Sequence, residues 1–451
     1  MPNYLPHTAE QDAAMLSFLG LERMEDLFAH LPAAVRLAGG LPIPAGRSEL
    51  DVLDDLAALA DRNVAASLTC FAGAGAYDHD IPPVVRALAS RSEFVTAYTP
   101  YQPEVAQGVL QALFEYQTLV ARLSGLPVAN ASLYDGAAAL VEALNLAAST
   151  TGRHGVLLSR GVHPHWRAAA RTFAAGTGHQ IEEVPLVGGV TAWPPGARDD
   201  LAAVVVGYPN YLGYLEDVAT ARALADQSGA LLVVAGDPVA AALVRSAGSW
   251  GADVFVGEGQ ALGTALSFGG PYLGLFAVRE ELVRRLPGRI VGETVDVAGR
   301  RAFVTTLRAR EQDIRRERAT SNVCTNQTLM AVTAAIQLGW LGTDGLREMA
   351  LRCASGAHEL VERVTQIPGV VAASEVPFVR EFALRLGRPV EPVLAAMARR
   401  GILGGVAARA LEPRGAAGGD GDDVLIVTVT ERHRARDLDA YVEALDEAVA
   451  S

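Results

Sequence analysis

The sequence has no lysine; all 38 of its basic side chains are arginine. An Ala-, Gly- and Arg-rich composition accounts for most of that absence, but the chemical consequence holds whatever the cause. Schiff-base catalysis needs a lysine amine as the resting partner of its carbonyl group, and this chain offers none. Cysteine is almost as scarce. Cys70, Cys324 and Cys353 stand singly, so neither a disulfide framework nor a metal-ligand spacing is suggested, and a reducing compartment fits. Positive charge is short overall: 51 acidic residues against 38 arginines leave a net charge of −13. That balance disfavours nucleic-acid binding, which needs a basic footprint to displace counterions. Long apolar runs are missing too. The stretch 230–244 is broken by Gly236 and Asp237, which leaves nothing able to span a bilayer. Residues 1–7 lack the basic start and apolar run of a signal peptide. The expectation is a cytoplasmic protein bound to neither membrane nor nucleic acid, with no metal site.

What is present is an ordinary globular balance, 50% hydrophobic and 20% charged over 451 residues. That length exceeds the ~250–300 residues at which single cores stop growing, so more than one domain is expected. Residues 1–75 read as an N-terminal arm. Its segments 9–19 and 49–60 carry apolar residues at helical spacing, and Gly39, Gly40, Pro42, Pro44 and Gly46 mark a turn or extended piece between them. The glycine-rich loop 71–79 has no Gly-Lys-Ser/Thr end and no clear buried strand before it, so it is not a nucleotide fingerprint. Residues 76–330 read as a large domain. A helix over 104–123 presents one apolar stripe, Val109, Leu113, Tyr116, Val120 and Leu123. Short apolar runs at 155–158, 204–206, 231–235, 254–256 and 273–278 alternate with helical segments such as 217–227. The alternation predicts an α/β fold with a mainly parallel sheet covered on both faces. Residues 331–451 read as a smaller C-terminal α/β domain: a long helix over 327–366, a strand over 378–386, a helix near 391–400, a glycine-rich loop at 415–421, a strand over 424–430 and a closing helix near 436–449.

Several residues invite a chemical reading. Asp237 ends an apolar strand, where open α/β sheets place ligands, although capping the turn before Pro238 is the weightier role. His163 either stacks on a bound ring or begins a helix at Pro164. Asp135 and Gly136 open a helix whose N-terminus suits an anion; an aspartate is a poor neighbour for phosphate, and a plain N-cap is preferred. The glycines of Gly257-Glu-Gly-Gln260 and Phe268-Gly-Gly-Pro271 imply close backbone approach or positive φ, in a binding loop or in tight turns. Tyr98-Thr-Pro-Tyr101-Gln-Pro-Glu104 is stiffened by its prolines and suits a rigid turn or an interface equally. The five arginines within 308–318 read as a solvated helix face laced by i,i+4 pairs, with a subunit-interface role as the sharper but less weighty alternative.

These strings also carry a resemblance. Tyr4-Leu-Pro-His7-Thr8, Ala97-Tyr-Thr-Pro-Tyr101-Gln-Pro-Glu104, Gly257-Glu-Gly-Gln260, Ser267-Phe-Gly-Gly-Pro271-Tyr-Leu-Gly274 and Arg315-Arg-Glu-Arg-Ala319-Thr-Ser-Asn322-Val-Cys324-Thr-Asn-Gln327 stand in one order. Up to residue 327 the chain closely resembles the first (alpha) subunit of the two-subunit P-protein family of the glycine cleavage system. The C-terminal lobe adds no specific motif. Arg318 departs from the family, which often has a lysine there; charge is kept and geometry is not.

The resemblance implies a fold-type-I, aminotransferase-like α/β subunit of a decarboxylating, aminomethyl-transferring glycine dehydrogenase, active only with a homologous second subunit in an α2β2 assembly. That partner would hold pyridoxal phosphate on a lysine. Glycine would lose CO2 there, and its aminomethyl group would pass to the lipoamide of the H-protein. No cofactor would be held covalently by this chain, and no catalytic residue would lie on it. Gln260 looks like the residue standing where the partner has its lysine, and His163, Asp237 and Gln260 look like a vestigial cofactor site. Tyr98, Thr99, Tyr101, Gln102 and Glu104, with Thr320, Ser321, Asn322, Thr325 and Asn326 as a second face, would wall the partner's active site or hold the interface. The rival from another class is a purely structural or regulatory partner of a pyridoxal phosphate enzyme. An independent enzyme of that kind, such as a cysteine desulfurase, is excluded by the missing lysine. A nicotinamide enzyme is disfavoured because no strand–GxGxxG–helix unit is present.

Overall fold

The computed structural model describes residues 6–37, 41–96, 98–411 and 423–450. Tyr4, Leu5, Gly39, Gly40, Ala97 and the glycine-rich loop 415–421, on which parts of the sequence reading rest, lie outside the described residues. The chain forms two units, Met1–Val64 and Ala65–Ser451.

The first unit is built on the helices Ala9–Phe18 and Glu49–Asp61, where the apolar spacing predicts them. Thr8 and Gln11 form a reciprocal capping box, and Ser48 accepts from the Asp51 N–H. Both satisfy amides that a first helical turn leaves without partners. No described side chain of this unit is buried, so it has no core of its own.

The second unit is centred on a seven-stranded sheet in the order Val128–Ala129, Gly274–Val278, Val254–Glu258, Leu231–Gly236, Leu201–Tyr208, Gly155–Ser159, Gln180–Val184. The last five run parallel, and Gly274–Val278 is antiparallel to Val254–Glu258. Successive strand residues point to opposite faces. Val204, Val206, Leu232 and Val234 therefore pack with the helices Gln107–Ser124 and Val218–Ser228. Val156, Leu158, Val205 and Val233 pack in a second cluster with the helix Gly136–Thr151. The predicted mainly parallel α/β sheet, apolar on both faces, is the one observed.

A four-stranded antiparallel sheet, Val371–Ala372, Glu381–Arg385, Val424–Thr428 and Val406–Ala407, has its own apolar cluster. Phe382, Leu384, Leu425 and Val427 meet Val393 and Met397 of the helix Val390–Arg399 and Leu438 and Tyr441 of the helix Ala435–Ala450.

Three features depart from the sequence reading. The long helix Thr328–Val364 is interrupted at Gly342, with φ +63° and ψ −171°, a conformation that glycine adopts without a Cβ penalty. The hairpin Ile290–Val295 with Arg301–Thr306 and the edge strand Gln180–Val184 escape prediction, because their half-exposed faces carry Glu182, Glu183, Glu293 and Thr294 in place of a clean apolar alternation. The 308–318 segment is not a helix laced by i,i+4 pairs. Glu311, extended at φ −75° and ψ 156°, and Arg316, at φ +52°, break it into the short pieces Arg308–Arg310, Gln312–Arg315 and Arg316–Arg318. Arg308 pairs with Asp313 at 3.0 Å, and Arg310 donates to the carbonyls of Leu286 and Gly288.

Candidate functional site

The strands Leu231–Gly236 and Val254–Glu258 end at a cleft lined by Tyr77, His163, Trp166, Asp237, Glu258 and Arg380, among others. This is the position that open α/β sheets reserve for ligands, yet its polar groups are engaged by the chain itself. Asp237 Oδ1 accepts from the Val239 and Ala240 N–H groups at 2.7 and 3.2 Å, the capping role read from the sequence. Its Oδ2 accepts from Arg380 Nε at 2.9 Å and Nη2 at 2.5 Å. Arg380 is only 2% exposed, and its guanidinium lies 3.7 Å from the centre of the Tyr77 ring, a cation–π contact that desolvation strengthens. Burial opposes the charge of Arg380; the Asp237 carboxylate overrides it and holds the guanidinium above its ordinary pKa.

Arg380 Nη1 also meets His79 Nε2, so Nε2 is an acceptor and Nδ1–H donates to Glu431 Oε2 at 2.7 Å. Burial, with the Arg380 charge acting in the same direction, lowers the His79 pKa and keeps the ring neutral. Burial raises Glu431, but the hydrogen bonds from His79 and the Asp80 N–H win and bring it down to about 2. The Cys353 thiol lies 3.4 Å from the same carboxylate. His79, Cys353 and Glu431 thus offer ligand atoms within 4.8 Å of one another. The tautomer imposed by Arg380 places a proton on Nδ1, the atom a metal would require, and the cluster is a hydrogen-bond chain.

The other two remnant candidates are equally occupied. His163 caps the helix Pro164–Thr177, with Nδ1 accepting from the His165 N–H at 3.1 Å and Nε2 meeting the Ala74 carbonyl at 2.8 Å. Gln260 is 1% exposed. Its Oε1 accepts the Tyr77 N–H at 2.8 Å, and Nε2 donates to the carbonyls of Tyr77 (3.0 Å) and Thr264 (2.7 Å). His163, Asp237 and Gln260 therefore converge on the glycine-rich loop 71–79, the first and last directly and Asp237 through Arg380. At the helix Gly136–Thr151, Asp135 Oδ1 caps the Ala138 N–H at 2.7 Å, as read from the sequence, and Glu258 Oε2 takes the Gly136 N–H at 2.9 Å. Glu258 Oε1 accepts from the Gln260 and Leu273 N–H groups at 3.0 and 2.9 Å. Burial pushes Glu258 up to about 7 against these three donors.

The second candidate region is a surface. Tyr98 and Tyr101 are 78% and 55% exposed. Gln102, Glu104, Thr320 and Asn322 are exposed, and Thr99, Ser321, Thr325 and Asn326 are half-buried. Buried Arg289 ties the two segments together. It donates from Nη1 to Asn326 Oδ1 at 3.2 Å, and from Nη2 to the Cys324 carbonyl at 2.8 Å and to Tyr101 Oη at 3.4 Å. Tyr134 Oη accepts from the Cys324 and Thr325 N–H groups at 3.1 and 3.4 Å. The structure thus joins Tyr101 to Asn326; Tyr98, Thr99, Gln102, Glu104, Thr320 and Asn322 lie on the same two segments.

Behind Ser321 sits Glu142, 8% exposed, with no hydrogen-bond partner for Oε2. Burial pushes it up to about 7, against the contacts of Ser321 and Asn145. A carboxyl raised in the folded state contributes stability that is full below its unfolded pKa of ~4.3 and is lost as pH rises through its folded value. Glu142→Gln is therefore expected to match the unsubstituted chain near pH ~4 and to exceed it by about 2–3 kcal/mol near pH ~8. Urea unfolding at the two pH values checks this, and equal differences at both would sink it.

Arg380, Arg289 and Glu142 are neighbours of these groups that the sequence reading missed, and Glu258 entered it only as part of the Gly257-Glu-Gly-Gln260 string. Adjacent charges at Arg380 and Glu381, inside a predicted strand, were a usable signal; Arg289 and Glu142 carry none.

A family model described as glycine cleavage system P-protein matches residues 2–398. The chain is 46% identical to a "probable glycine dehydrogenase (decarboxylating) subunit 1" of Moorella thermoacetica, over 98% of each chain. It is 45% identical to a protein of the same description from Thermomicrobium roseum, over 99% of this chain and 100% of the other. A crystal structure of glycine decarboxylase (P-protein) of the glycine cleavage system, in inhibitor-bound form, superposes with a TM-score of 0.90 at 47% identity, covering 99% of this chain and 100% of that one. A NifS-like protein from Rickettsia africae superposes with a TM-score of 0.59 at 12% identity, over 85% of this chain and 100% of that one, and shares the fold alone. The architecture is thereby that of the fold-type-I pyridoxal phosphate enzymes.

Proposed function

The chain belongs to the glycine cleavage system P-protein family, and from that premise we propose that it is the cofactor-free subunit 1 of a decarboxylating, aminomethyl-transferring glycine dehydrogenase. It works with a homologous second subunit, as α2β2 in the cytoplasm. The partner holds the pyridoxal phosphate, and the aminomethyl group left by decarboxylation passes to the lipoyl group of the H-protein. The observation that carries this reading is the absence of lysine together with a cleft whose polar groups are already engaged by the chain itself. Pyridoxal phosphate supplies an electron sink and needs a lysine, a counter-charge for its ring and a seat for its phosphate. Here Gln260 is stitched to Tyr77 and Thr264, Asp237 is neutralised by Arg380, and Glu258 occupies the helix N-terminus. These residues do not suit the cofactor.

What this chain contributes is a wall. Tyr98, Thr99, Tyr101, Gln102 and Glu104, with Thr320, Ser321, Asn322, Thr325 and Asn326, close the partner's site and shape the entry of the lipoyl arm. Their mixture of exposed aromatics and hydrogen-bonding groups suits such a face. The organisation we propose is an arm over 1–75, a large domain over 76–330 and a small domain over 331–451, the last supported by its separate apolar cluster.

Reconstitution tests the reading. The chain alone is expected to show neither ~420 nm absorbance with pyridoxal phosphate nor glycine–CO2 exchange, and the mixture with its partner and lipoyl H-protein to show both. Turnover by this chain alone would overturn it. Within the assembled complex, Tyr101→Ala is expected to cut exchange by about 10- to 100-fold, as misplaced reacting groups do. Altered assembly with unchanged turnover per complex would favour a structural or regulatory partner instead.

A further inference from the structure

We infer that Arg289 is the positioning residue that makes one face out of the 98–104 and 320–326 segments, and that it sets the turnover of the complex through Tyr101 without touching substrate. The inference rests on the proposed role of that face.

Arg289 stands just ahead of the strand Ile290–Val295 and is 6% exposed. Its own carbonyl accepts the Ala131 N–H at 2.8 Å, so its backbone is anchored to the 130–134 stretch. From that anchor one guanidinium reaches both segments, which are more than two hundred positions apart in the chain. It binds the Cys324 carbonyl and Asn326 Oδ1 on one side and Tyr101 Oη on the other, with its carbon 5.5 Å from the Tyr101 ring centre. Asn326 is in turn held by the Ala131 carbonyl at 2.7 Å. Arg308 approaches the same ring at 5.8 Å.

No carboxylate forms an ion pair with Arg289 among the described residues, although its charge acts on the Glu311 carboxyl from further off; its direct partners are a carbonyl, an amide oxygen, a hydroxyl and a π-face. A buried guanidinium whose direct partners are all neutral is costly to keep, and an apolar side chain would fill the space more cheaply. What only the planar fork supplies is several donors in fixed directions. Arg289 therefore gives direction to Tyr101, which is otherwise half exposed on a proline-stiffened loop, relative to Asn326. A lysine would keep the charge but not the fork.

The test uses Arg289→Lys and Arg289→Met in the full chain. Hydrogen exchange of the chain alone is expected to rise about tenfold or more in both 98–105 and 320–327, and not in the central sheet. In the complex with partner and H-protein, glycine–CO2 exchange is expected to fall about 10- to 100-fold in kcat for both variants, with partner affinity changed by less than about threefold. Tyr101→Phe combined with Arg289→Met is expected to be no worse than the poorer single variant, because one acts through the other. Unchanged exchange in either segment overturns the positioning role. Faster amide exchange with full turnover, rescue of turnover by lysine, or multiplied losses in the double variant overturns its role in the reaction. A wild-type mixture without glycine–CO2 exchange sinks the functional reading itself, while the amide-exchange arm still judges the clamp.

Discussion

Arg380→Met is expected to destabilise the second unit by about 3–5 kcal/mol, the cost of removing one partner from a buried ion pair. Methionine keeps most of the side-chain volume, so packing alone accounts for little of that loss. The loss comes from what remains. Asp237 keeps its two N–H donors but loses the cation at 2.5 Å. The Tyr77 ring loses a charge at 3.7 Å, and His79 Nε2 loses its donor. The expected signature is a lower urea midpoint with a slope close to that of the unsubstituted chain. Arg380→Met with Asp237→Asn is expected to recover part of the loss, since removing both charges is cheaper than stranding one. A loss below about 1 kcal/mol in the single variant would place the pair in the class of solvated ion pairs, and its account as a buried pair that holds the cleft together would fall.

The main sheet is legible because burial on both faces writes itself as short apolar runs; 231–235 and 254–256 foretell the strands Leu231–Gly236 and Val254–Glu258 within two residues. Where a strand is covered on one side only, as at Gln180–Val184, its glutamates obscure the pattern. Charge patterning misleads at 308–318 for another reason: i,i+4 spacing presumes a helix, and the extended Glu311 and positive φ at Arg316 interrupt one. In the cleft, Asp237 and Asp135 are caps as their positions before a turn and a helix suggest. That Asp237 is also neutralised depends on Arg380, which lies 143 positions away in sequence and stands just ahead of the strand Glu381–Arg385 of the other sheet. Local reading has no access to a contact of that range. Arg289 illustrates the same limit, since nothing in Pro287-Gly288-Arg289 announces that its side chain will join two recognisable strings.

Restoring the missing amine is not expected to restore the missing chemistry. Gln260→Lys should leave the chain without the ~420 nm absorbance of a lysine Schiff base when pyridoxal phosphate is added, and should cost about 3 kcal/mol or more of stability, because a buried amide with three hydrogen bonds gives way to a group that must be desolvated as a charge or kept neutral. Gln260 does two jobs that lysine cannot combine. Its oxygen accepts the Tyr77 N–H, and its nitrogen donates to the Tyr77 and Thr264 carbonyls. An ammonium group has donors only, so the Tyr77 amide would be left buried without a partner and the loop carrying Tyr77 would loosen. The cofactor would also arrive at a cleft whose other seats are taken. Asp237 already has its cation, and the amides at the start of the helix Gly136–Thr151 already have the carboxylates of Asp135 and Glu258. A phosphate would have to displace carboxyl oxygens that already hold these N–H groups. The measurement is a spectral titration of the variant with pyridoxal phosphate beside its urea unfolding curve. A saturable band near ~420 nm in the single variant would show that the cleft still accepts the cofactor and that the lysine alone was lost. Its absence, with the expected loss of stability, would mean that the site has been rebuilt around Arg380, Glu258 and Gln260 as a structural junction, leaving the exposed tyrosines as the part of this chain that meets the reaction.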